Sequence, residues 1–221
     1  MFKAALFDMD GVVVDSEPLH NKAYYQMFDD VNIEVSDELY ASFTGQSTLE
    51  ICKQLIDHFK LPLGPQTLVD IKRHHFKHLF DTDTSLSLID GVHELIKDYH
   101  SHGMTLVLAS SASMTNINRV FERFDLNQYF VAKISGADLK ASKPHPEIFE
   151  KAAELSGHIP NDCFVIEDST NGIAAAKAAG LYCVGFDSFH SEDQDYDKAD
   201  LVVSDFKAIH YEQLEAKLAT A

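Results

Sequence analysis

The chain has 221 residues, of which 45% are hydrophobic, and its formal net charge at pH 7 is −17. This length is enough for a single well-packed core, or for one domain with a smaller domain inserted into it. The acidic excess argues against nucleic acid or an anionic membrane as partner, because both present phosphates that proteins bind through Lys and Arg.

The cysteines and the N-terminal region favour a cytoplasmic protein. Cys52, Cys163 and Cys183 are odd in number and show no paired spacing, so we expect buried, reduced thiols. Asp8 and Asp10 interrupt the one apolar stretch near the N-terminus, and we therefore expect no signal peptide. We also expect no membrane-spanning segment, because the apolar runs are too short.

The first predicted strand, Ala4–Phe7, is followed directly by Asp8-Met9-Asp10-Gly11. Side chains two positions apart on a strand point the same way, so two carboxylates would lie close together and raise each other's pKa. A bound cation would offset that repulsion, and so would a role as an acid for one of the two carboxyl groups. The alternative is a structural role, in which Asp10-Gly11 forms the turn of a hairpin.

A region without strands follows, and it predicts a small α-helical domain inserted after the first strand. We assign residues 16–87 to this helical cap domain, and residues 1–15 and 88–221 to the main domain. The connections are expected near Asp15–Glu17 and Asp81–Asp90. An insertion that leaves the end of a strand would cover the edge where open α/β sheets bind ligands. The helices predicted in this region are Pro18–Asp30, Asp37–Phe43, Ser47–Phe59 and Pro65–Phe80.

Beyond this region, apolar runs alternate with helical patterns, which predicts an α/β domain with a doubly wound parallel sheet. Runs without polar alternation are typical of strands that are covered on both faces. The predicted strands are Ala4–Phe7, Thr105–Ala109, Val131–Ile134, Cys163–Ile166, Tyr182–Phe186 and Leu201–Val203. The predicted helices are Val92–His102, Ser113–Phe124, Pro146–Ser156 and Asn171–Ala179.

Three later segments carry reactive or charged side chains after predicted strands. Ser110 and Ser111 precede a helix, where hydroxyls and free N–H groups bind anions, although a plain serine cap is the simpler alternative. Lys143 lies in a stiff Lys-Pro-His-Pro turn and could offer a phosphate a fixed charge, or could be a solvated surface lysine. Glu167 and Asp168 suit a hard cation such as Mg²⁺, or are acids that a helix dipole favours.

Together these motifs resemble the haloacid dehalogenase superfamily, in the branch that contains β-phosphoglucomutase and small sugar-phosphate phosphatases. The resemblance covers essentially the whole chain and includes the entry to the helical region, Asp15-Ser16-Glu17-Pro18-Leu19-His20. It implies a Rossmann-like core with a helical cap, and members of this branch are often monomers. The four motifs are Asp8-Met9-Asp10-Gly11-Val12, Ser110, Lys143 in Ser-Lys-Pro-His-Pro, and Glu167-Asp168-Ser169 with Asn171-Gly172-Ile173.

The resemblance also implies a role for each of these residues. Asp8 would be the nucleophile that forms an aspartyl phosphate, and Asp10 would act as acid and then as base. Mg²⁺ would be bound by Asp8, the backbone carbonyl of Asp10 and Asp168, with Glu167 supporting the waters of the metal. The phosphoryl group would be held by Ser110, Ser111 and Lys143, with Gly11 and Asn171 as further binding positions.

The cap residues bear on whether the phosphoryl group passes to water or to a sugar hydroxyl. His20 resembles the hinge histidine of β-phosphoglucomutase, and Lys72 falls near a cap lysine of the mutases, although either could be a packing or surface residue. Thr48 stands where mutases usually carry an arginine for a second phosphate. We therefore expect a phosphatase of a small phosphorylated metabolite, with a sugar-phosphate mutase or a non-catalytic binding domain as alternatives. The cap positions expected to bind substrate are His20, Gly45, Gln46, Thr48 and Lys72.

Overall fold

The computed structural model describes residues 2–43, 46–187 and 194–220. Within them, six strands form one all-parallel sheet in the order β3-β2-β1-β4-β5-β6. This order confirms the predicted α/β class with a doubly wound, Rossmann-like sheet. The strands are β1 Ala4–Phe7, β2 Thr105–Ser110, β3 Ala132–Ser135, β4 Cys163–Glu167, β5 Tyr182–Phe186 and β6 Leu201–Val203.

Helices cover both faces of this sheet. One layer contains α5, α6 and α9, and the opposite layer contains α7 and α8. The helices are α1 Glu17–Asp30, α2 Asp37–Ala41, α3 Thr48–Phe59, α4 Pro65–Thr82, α5 Val92–Ser101, α6 Met114–Arg123, α7 Glu147–Ser156, α8 Thr170–Ala178 and α9 Tyr211–Thr220. No helix in the described ranges is long and apolar enough to cross a membrane.

The apolar strands are explained by the two helical layers. Alternate side chains of β1 point to opposite faces, so Phe7 packs against one layer and Leu6 against the other. Both side chains are fully buried, which is why the run has no polar alternation. The three cysteines are buried free thiols, as expected.

Helices α1 to α4 build a separate apolar cluster, in which Met27 and Phe28 of α1 pack against Leu55 of α3 and Leu68 of α4. Serine side chains cap two of these helices. The Leu39 N–H donates to Ser36 Oγ at the start of α2, and the Glu50 N–H donates to Ser47 Oγ at the start of α3, both at 3.3 Å. These helices therefore have a core of their own, while Leu19 and Ala23 of α1 and Phe76 and Phe80 of α4 pack into the cluster on one face of the sheet.

The two ends of the α1–α4 segment leave the sheet side by side. The Asp15 N–H donates to the Ser87 carbonyl at 3.0 Å, and the Ile89 N–H donates to the Val13 carbonyl at 3.1 Å. Val14 and Leu88 form an antiparallel bridge between these contacts. The segment is thus joined to the rest of the chain through two short, paired connections.

Among the boundary predictions that were wrong by one or two residues, three have a local explanation. Helix α2 ends at Ala41 instead of Phe43, because the Ser42 hydroxyl donates back to the Leu39 carbonyl. Strands β2 and β4 each run one residue further than predicted, to Ser110 and Glu167, since parallel pairing continues to the polar residue. Ser110 and Glu167 are therefore held rigidly as the last residues of strands.

Candidate active site

The candidate site lies at the carboxyl ends of β1 and β4, where the strand order reverses. Asp8 follows β1 and Asp168 follows β4, so parallel pairing brings both carboxylates to one edge of the sheet. The Asp8 N–H donates to the Ile166 carbonyl at 3.0 Å, which continues the pairing to the site. Open α/β sheets bind their ligands at such a reversal point. A pocket opens here between the sheet edge and helices α1 to α3.

Lys143 is the buried cation of this site. It is 3% exposed, and its ammonium group donates to Asp8 and, at 2.6 Å, to Oε1 of Glu167. Burial alone would lower the pKa of Lys143, but these two carboxylates raise it above its ordinary value. The alternative of a solvated surface lysine is excluded by this burial.

The site carries more negative charge than Lys143 offsets. Burial raises the pKa of Asp8 to about 8 although Lys143 opposes the shift. Burial also raises the pKa of Asp168 well above its ordinary value, with further contributions from Glu167 and Asp8. Raised carboxyl pKa values at a sheet edge mark a place where a cation would be stabilising.

The donor set suits a hard cation with an open coordination shell. No group of three or more His, Cys, Asp or Glu side chains in the described ranges could hold a metal ion alone. Asp8 and Asp168 are two carboxylates to which backbone oxygen and water can be added, and Mg²⁺ prefers such a set. Gly11 allows the Asp168 carboxylate to lie against the loop after β1. Its φ is +81°, and a Cβ at this position would lie 2.0 Å from Oδ2 of Asp168.

Glu167 is held away from solvent by a dense set of contacts. It is 1% exposed, and its Oε2 accepts hydrogen bonds from the N–H of Ser169 at 2.7 Å and from the hydroxyl at 2.9 Å. Its other oxygen faces Lys143. A Cβ at Gly172 would lie 1.7 Å from that oxygen, so helix α8 can pack here only with glycine at this position. Glu167 therefore orients Lys143.

Asp10 ends a chain of hydrogen bonds that begins in the helical segment. Lys72 Nζ lies 2.6 Å from His20 Nδ1 and donates to it, which leaves His20 Nε2–H directed at Asp10 Oδ1, 3.3 Å away. The hydroxyl of Ser16 also donates to Asp10. Burial raises the pKa of Asp10, but His20 and Ser16 outweigh it and lower the pKa overall. The second carboxylate thus has an environment opposite to that of Asp8.

Lys72 reaches this chain of hydrogen bonds from α4. It is 1% exposed, and its ammonium group lies 4.7 Å from the ring centre of Tyr24 and 4.8 Å from that of Phe76. Burial lowers its pKa to about 8. The ring of His20 stacks on Phe76 with centroids 4.4 Å apart. His20 lines the pocket, whereas Lys72 is not among the described residues that line it.

The remaining core residues fall in three environments. Ser111 lines the pocket, whereas Ser110 is fully buried and its hydroxyl accepts from the Ala112 N–H at 3.0 Å. Asn171 lines a neighbouring cavity that it shares with Lys143. Of the core residues singled out from the sequence, Ser111 is thus better placed than Ser110 to meet a ligand.

The predicted cap positions around residue 46 differ in whether they line the pocket. Gln46 and Thr48 line the pocket. Gln46 is fixed within the segment, since its amide donates to the Ser42 carbonyl at 2.7 Å and accepts from Gln54 at 2.7 Å. Gly45 lies outside the described residues.

Three pocket residues on α1 and α2 were missed by sequence reasoning, namely Glu17, Tyr24 and Tyr40. A signal for two of them existed. Glu17, His20 and Tyr24 are spaced three and four apart and therefore share one face of α1. Tyr40 carried no such signal, because it comes to the pocket only through the packing of α2 against α1.

Comparisons with known proteins identify relatives over most of the chain. Residues 5–186 match the model of the family described as haloacid dehalogenase-like hydrolase. Hexitol phosphatase B of Escherichia coli (strain K12) is 30% identical over 178 residues, which is 80% of each chain. The structure of CbbY from Rhodobacter sphaeroides in complex with phosphate has a TM-score of 0.87 at 26% identity and covers 97% of this chain and 100% of its own. β-Phosphoglucomutase from Clostridium difficile has a TM-score of 0.86 at 26% identity, covering 100% and 98%.

Proposed function

Because the chain belongs to the haloacid dehalogenase-like hydrolase family, we propose that it is a Mg²⁺-dependent phosphatase of a small phosphorylated metabolite, most simply a sugar phosphate. The observation that carries this proposal is the buried group of Asp8, Lys143 and Asp168 at the edge of the sheet, open to a pocket. A relative named as a hexitol phosphatase supports the same reaction class.

Asp8 is the proposed nucleophile. Its oxygen attacks phosphorus, the bond from phosphorus to the ester oxygen breaks, and an aspartyl phosphate forms. Lys143 holds the Asp8 carboxylate, Ser111 lies at the pocket wall where its N–H can meet the phosphoryl oxygens, and Ser110 shapes that turn.

Asp10 is the proposed acid and base. It gives a proton to the departing alkoxide, and it later takes a proton from the water that attacks the aspartyl phosphate and releases phosphate. His20 and Ser16 hold its pKa low in the free protein. A phosphate dianion beside Asp10 raises that pKa, so substrate binding favours the protonated form that the first step needs.

Asp8, Asp168 and the backbone carbonyl of Asp10 would hold Mg²⁺, with Glu167 supporting its waters. The metal when bound supplies positive charge that neutralises the phosphoryl oxygens. Residues 16–87 are proposed to act as a cap domain over this site. The protein is further proposed to be cytoplasmic and monomeric, and to bind neither nucleic acid nor membranes.

A β-phosphoglucomutase-type mutase is the second candidate. The contact of Lys72 with His20, and of His20 with Asp10, favours it, as does the likeness to a β-phosphoglucomutase structure. Against it, Thr48 lines the pocket at the expected arginine position, and Lys143 is the one Lys or Arg among the described pocket residues. A mutase must bind two phosphates, and the second is usually bound by an arginine guanidinium through two parallel hydrogen bonds.

The test is a screen of phosphorylated metabolites with Mg²⁺ that scores phosphate release and isomerisation separately. We expect phosphate release from p-nitrophenyl phosphate and from a hexose phosphate, and its loss in Asp8→Asn. The exposed Asp29→Asn serves as control, since it makes the same change on the surface of α1. Conversion of β-glucose 1-phosphate to glucose 6-phosphate without phosphate release would establish the mutase instead.

A further inference from the structure

Tyr196 bridges the ends of two neighbouring strands beside the candidate site. Its hydroxyl lies 3.0 Å from the carbonyl oxygen of Asp168 and 3.2 Å from that of Phe186, and it donates its one proton to this pair. Phe186 is the last residue of β5, and Asp168 directly follows β4. The phenol therefore fastens the chain at the point where it leaves the sheet for the site.

The ring of Tyr196 is held in this position by packing as well as by its hydroxyl. It is half-buried against the apolar cluster that contains residues of β4, β5 and α8. Gly185 of β5 leaves the room that the ring occupies, because a Cβ there would lie 2.8 Å from Cδ1 of Tyr196 and 3.1 Å from the Cβ of Ala199. A substitution that removes only the hydroxyl should therefore leave the ring in place.

The two residues before Tyr196 hold the start of α8. The N–H of Thr170 donates to Oε1 of Gln194 at 2.8 Å, and the N–H of Asp195 donates to Oγ1 of Thr170 at 2.8 Å. Thr170 is the first residue of α8 and comes two positions after Asp168. Together with Tyr196, these contacts fix the turn that leads from β4 into α8.

The carboxylate of Asp168 starts from this fixed turn. Mg²⁺ requires nearly ideal octahedral geometry with oxygen distances of about 2.0–2.1 Å, so a ligand whose backbone can shift binds it less well. We propose that Tyr196 is a positioning residue for Asp168: its hydroxyl holds the Asp168 carbonyl and thereby fixes the direction in which the carboxylate meets a divalent cation. The proposal rests on the proposed Mg²⁺ site and adds a residue that acts through one of its ligands.

The test measures Mg²⁺ affinity without substrate for the wild type and for Tyr196→Phe. The Kd follows from the dependence of the melting temperature on Mg²⁺ concentration, because a ligand that binds only the folded protein stabilises it according to its concentration relative to Kd. We expect Tyr196→Phe to raise the Kd about tenfold, since partners that orient a metal ligand change affinity by about 10- to 100-fold. Phosphate release from p-nitrophenyl phosphate should need more Mg²⁺ in this variant and should recover at saturating Mg²⁺.

Tyr99→Phe is the matched control, because it also removes a tyrosine hydroxyl that donates to a backbone carbonyl, in this case that of Ile209. It should lower the melting temperature measured without metal and leave the Kd for Mg²⁺ unchanged. Thr170→Val loosens the contact with Asp195 and should raise the Kd in the same direction as Tyr196→Phe, by a smaller factor.

The proposal would be overturned if Tyr196→Phe lowered the melting temperature without metal but kept the wild-type Kd, since Tyr196 would then only stabilise the fold. An equal rise of the Kd in Tyr99→Phe would also overturn it, because the effect would then come from a general loss of stability. A wild type that releases phosphate from neither p-nitrophenyl phosphate nor a hexose phosphate in the presence of Mg²⁺ would instead contradict the proposed function itself.

Discussion

At the scale of single residues, Gly172 allows Glu167 to hold Lys143. A Cβ at this position would lie 1.7 Å from Oε1 of Glu167, the oxygen that faces Lys143. We expect Gly172→Ala to displace the carboxylate and to lower kcat/KM for phosphate release by about 10²-fold, the cost of misplacing a positioning group by roughly 1 Å. Gly64→Ala is the control, because nothing lies within 4 Å of a Cβ there. Steady-state phosphate release gives kcat/KM for both variants. Similar losses of kcat/KM in Gly172→Ala and Gly64→Ala would contradict the role assigned to Gly172.

We expect Lys72 to make folding stability depend on pH. Its pKa is lowered by burial from 10.5 to about 8 in the folded protein, although Asp10 opposes the shift. Between these two values the unfolded chain keeps the proton and the folded protein loses it, so stability rises with pH in this window. Relative to Lys72→Met, the free energy of unfolding of the wild type should rise by about 3 kcal/mol from pH 8 to pH 10.5, at ~1.36 kcal/mol per unit.

Urea denaturation of both proteins at pH 7, 8, 9, 10 and 10.5 measures this difference in the free energy of unfolding. A difference that stays constant or falls with pH would show that Lys72 is not a desolvated cation in solution. The replacement by Met keeps the volume and the packing against Tyr24 and Phe76, so the comparison isolates the charge.

The sequence predicted the charged residues at the sheet edge, but it did not predict which of them contact one another. Asp8 and Asp168 directly follow β1 and β4, and their placement follows from parallel pairing alone, whereas Lys143 lies in the turn before α7 and reaches the site through that turn. The contact of Lys143 with Glu167 joins residues 24 positions apart, which no local pattern records. Tyr40 was missed for the same reason, since packing between helices decides which side of a short helix faces the pocket.

At the scale of elements, Arg123 of α6 fixes the return from the helical segment to the sheet. Its guanidinium donates to the carbonyls of Phe80 at 2.9 Å and Asp83 at 3.0 Å, and it lies 5.1 Å from the Phe80 ring centre. The carbonyls in the last turn of a helix lack partners within the helix, so Arg123 satisfies groups that α4 leaves open. The connection is thereby held to the sheet layer.

We expect Arg123→Ala to lower the free energy of unfolding by about 2 kcal/mol, since each charge-assisted hydrogen bond contributes roughly 1.5–3 kcal/mol. It should also expose residues 83–88 to limited proteolysis. Lys22→Ala is the control, because its ion pair with Asp83 is solvent-exposed and such pairs contribute little. Denaturation curves and mapped cleavage sites measure the two effects, and equal sensitivity of both variants would argue against the role of Arg123.

The elements themselves were largely predictable, because strand and helix periodicities are local properties of the sequence. The six strands seen in the described part of the chain were all predicted, and the errors fell at ends such as Ser110 and Glu167, where a polar residue continues a strand. The division into residues 16–87 and the remainder stays a prediction, to be tested by whether each part unfolds separately.

At the scale of the whole molecule, a net charge of −17 and a carboxylate-rich site make folding stability respond to divalent cations. We expect Mg²⁺ to raise the melting temperature of the wild type. At a Mg²⁺ concentration of 100 times its Kd, the free energy of unfolding should rise by about 2.7 kcal/mol. Asp168→Asn should lose most of this gain, because one of two proposed carboxylate ligands is removed. Calorimetry with NaCl at matched ionic strength separates binding from charge screening.

The contrary result would be an equal rise in the melting temperature of the wild type and of Asp168→Asn on addition of Mg²⁺. Stabilisation of that kind would come from general screening of the acidic surface, and the site would need another ligand set. The site at the sheet edge is supported if Mg²⁺ raises the melting temperature of the wild type, NaCl does not, and Asp168→Asn shows no such rise.

The paired connections at Asp15–Ser87 and Val13–Ile89 have a consequence for how such a protein can change. Both ends of the four-helix segment meet the sheet at one place, so the segment can be exchanged as a cassette without rethreading any strand. The proposed reaction chemistry on the sheet edge can then be inherited while the helices that line the rest of the pocket are replaced, as long as the new segment keeps the contacts that Ser16 and His20 make with Asp10.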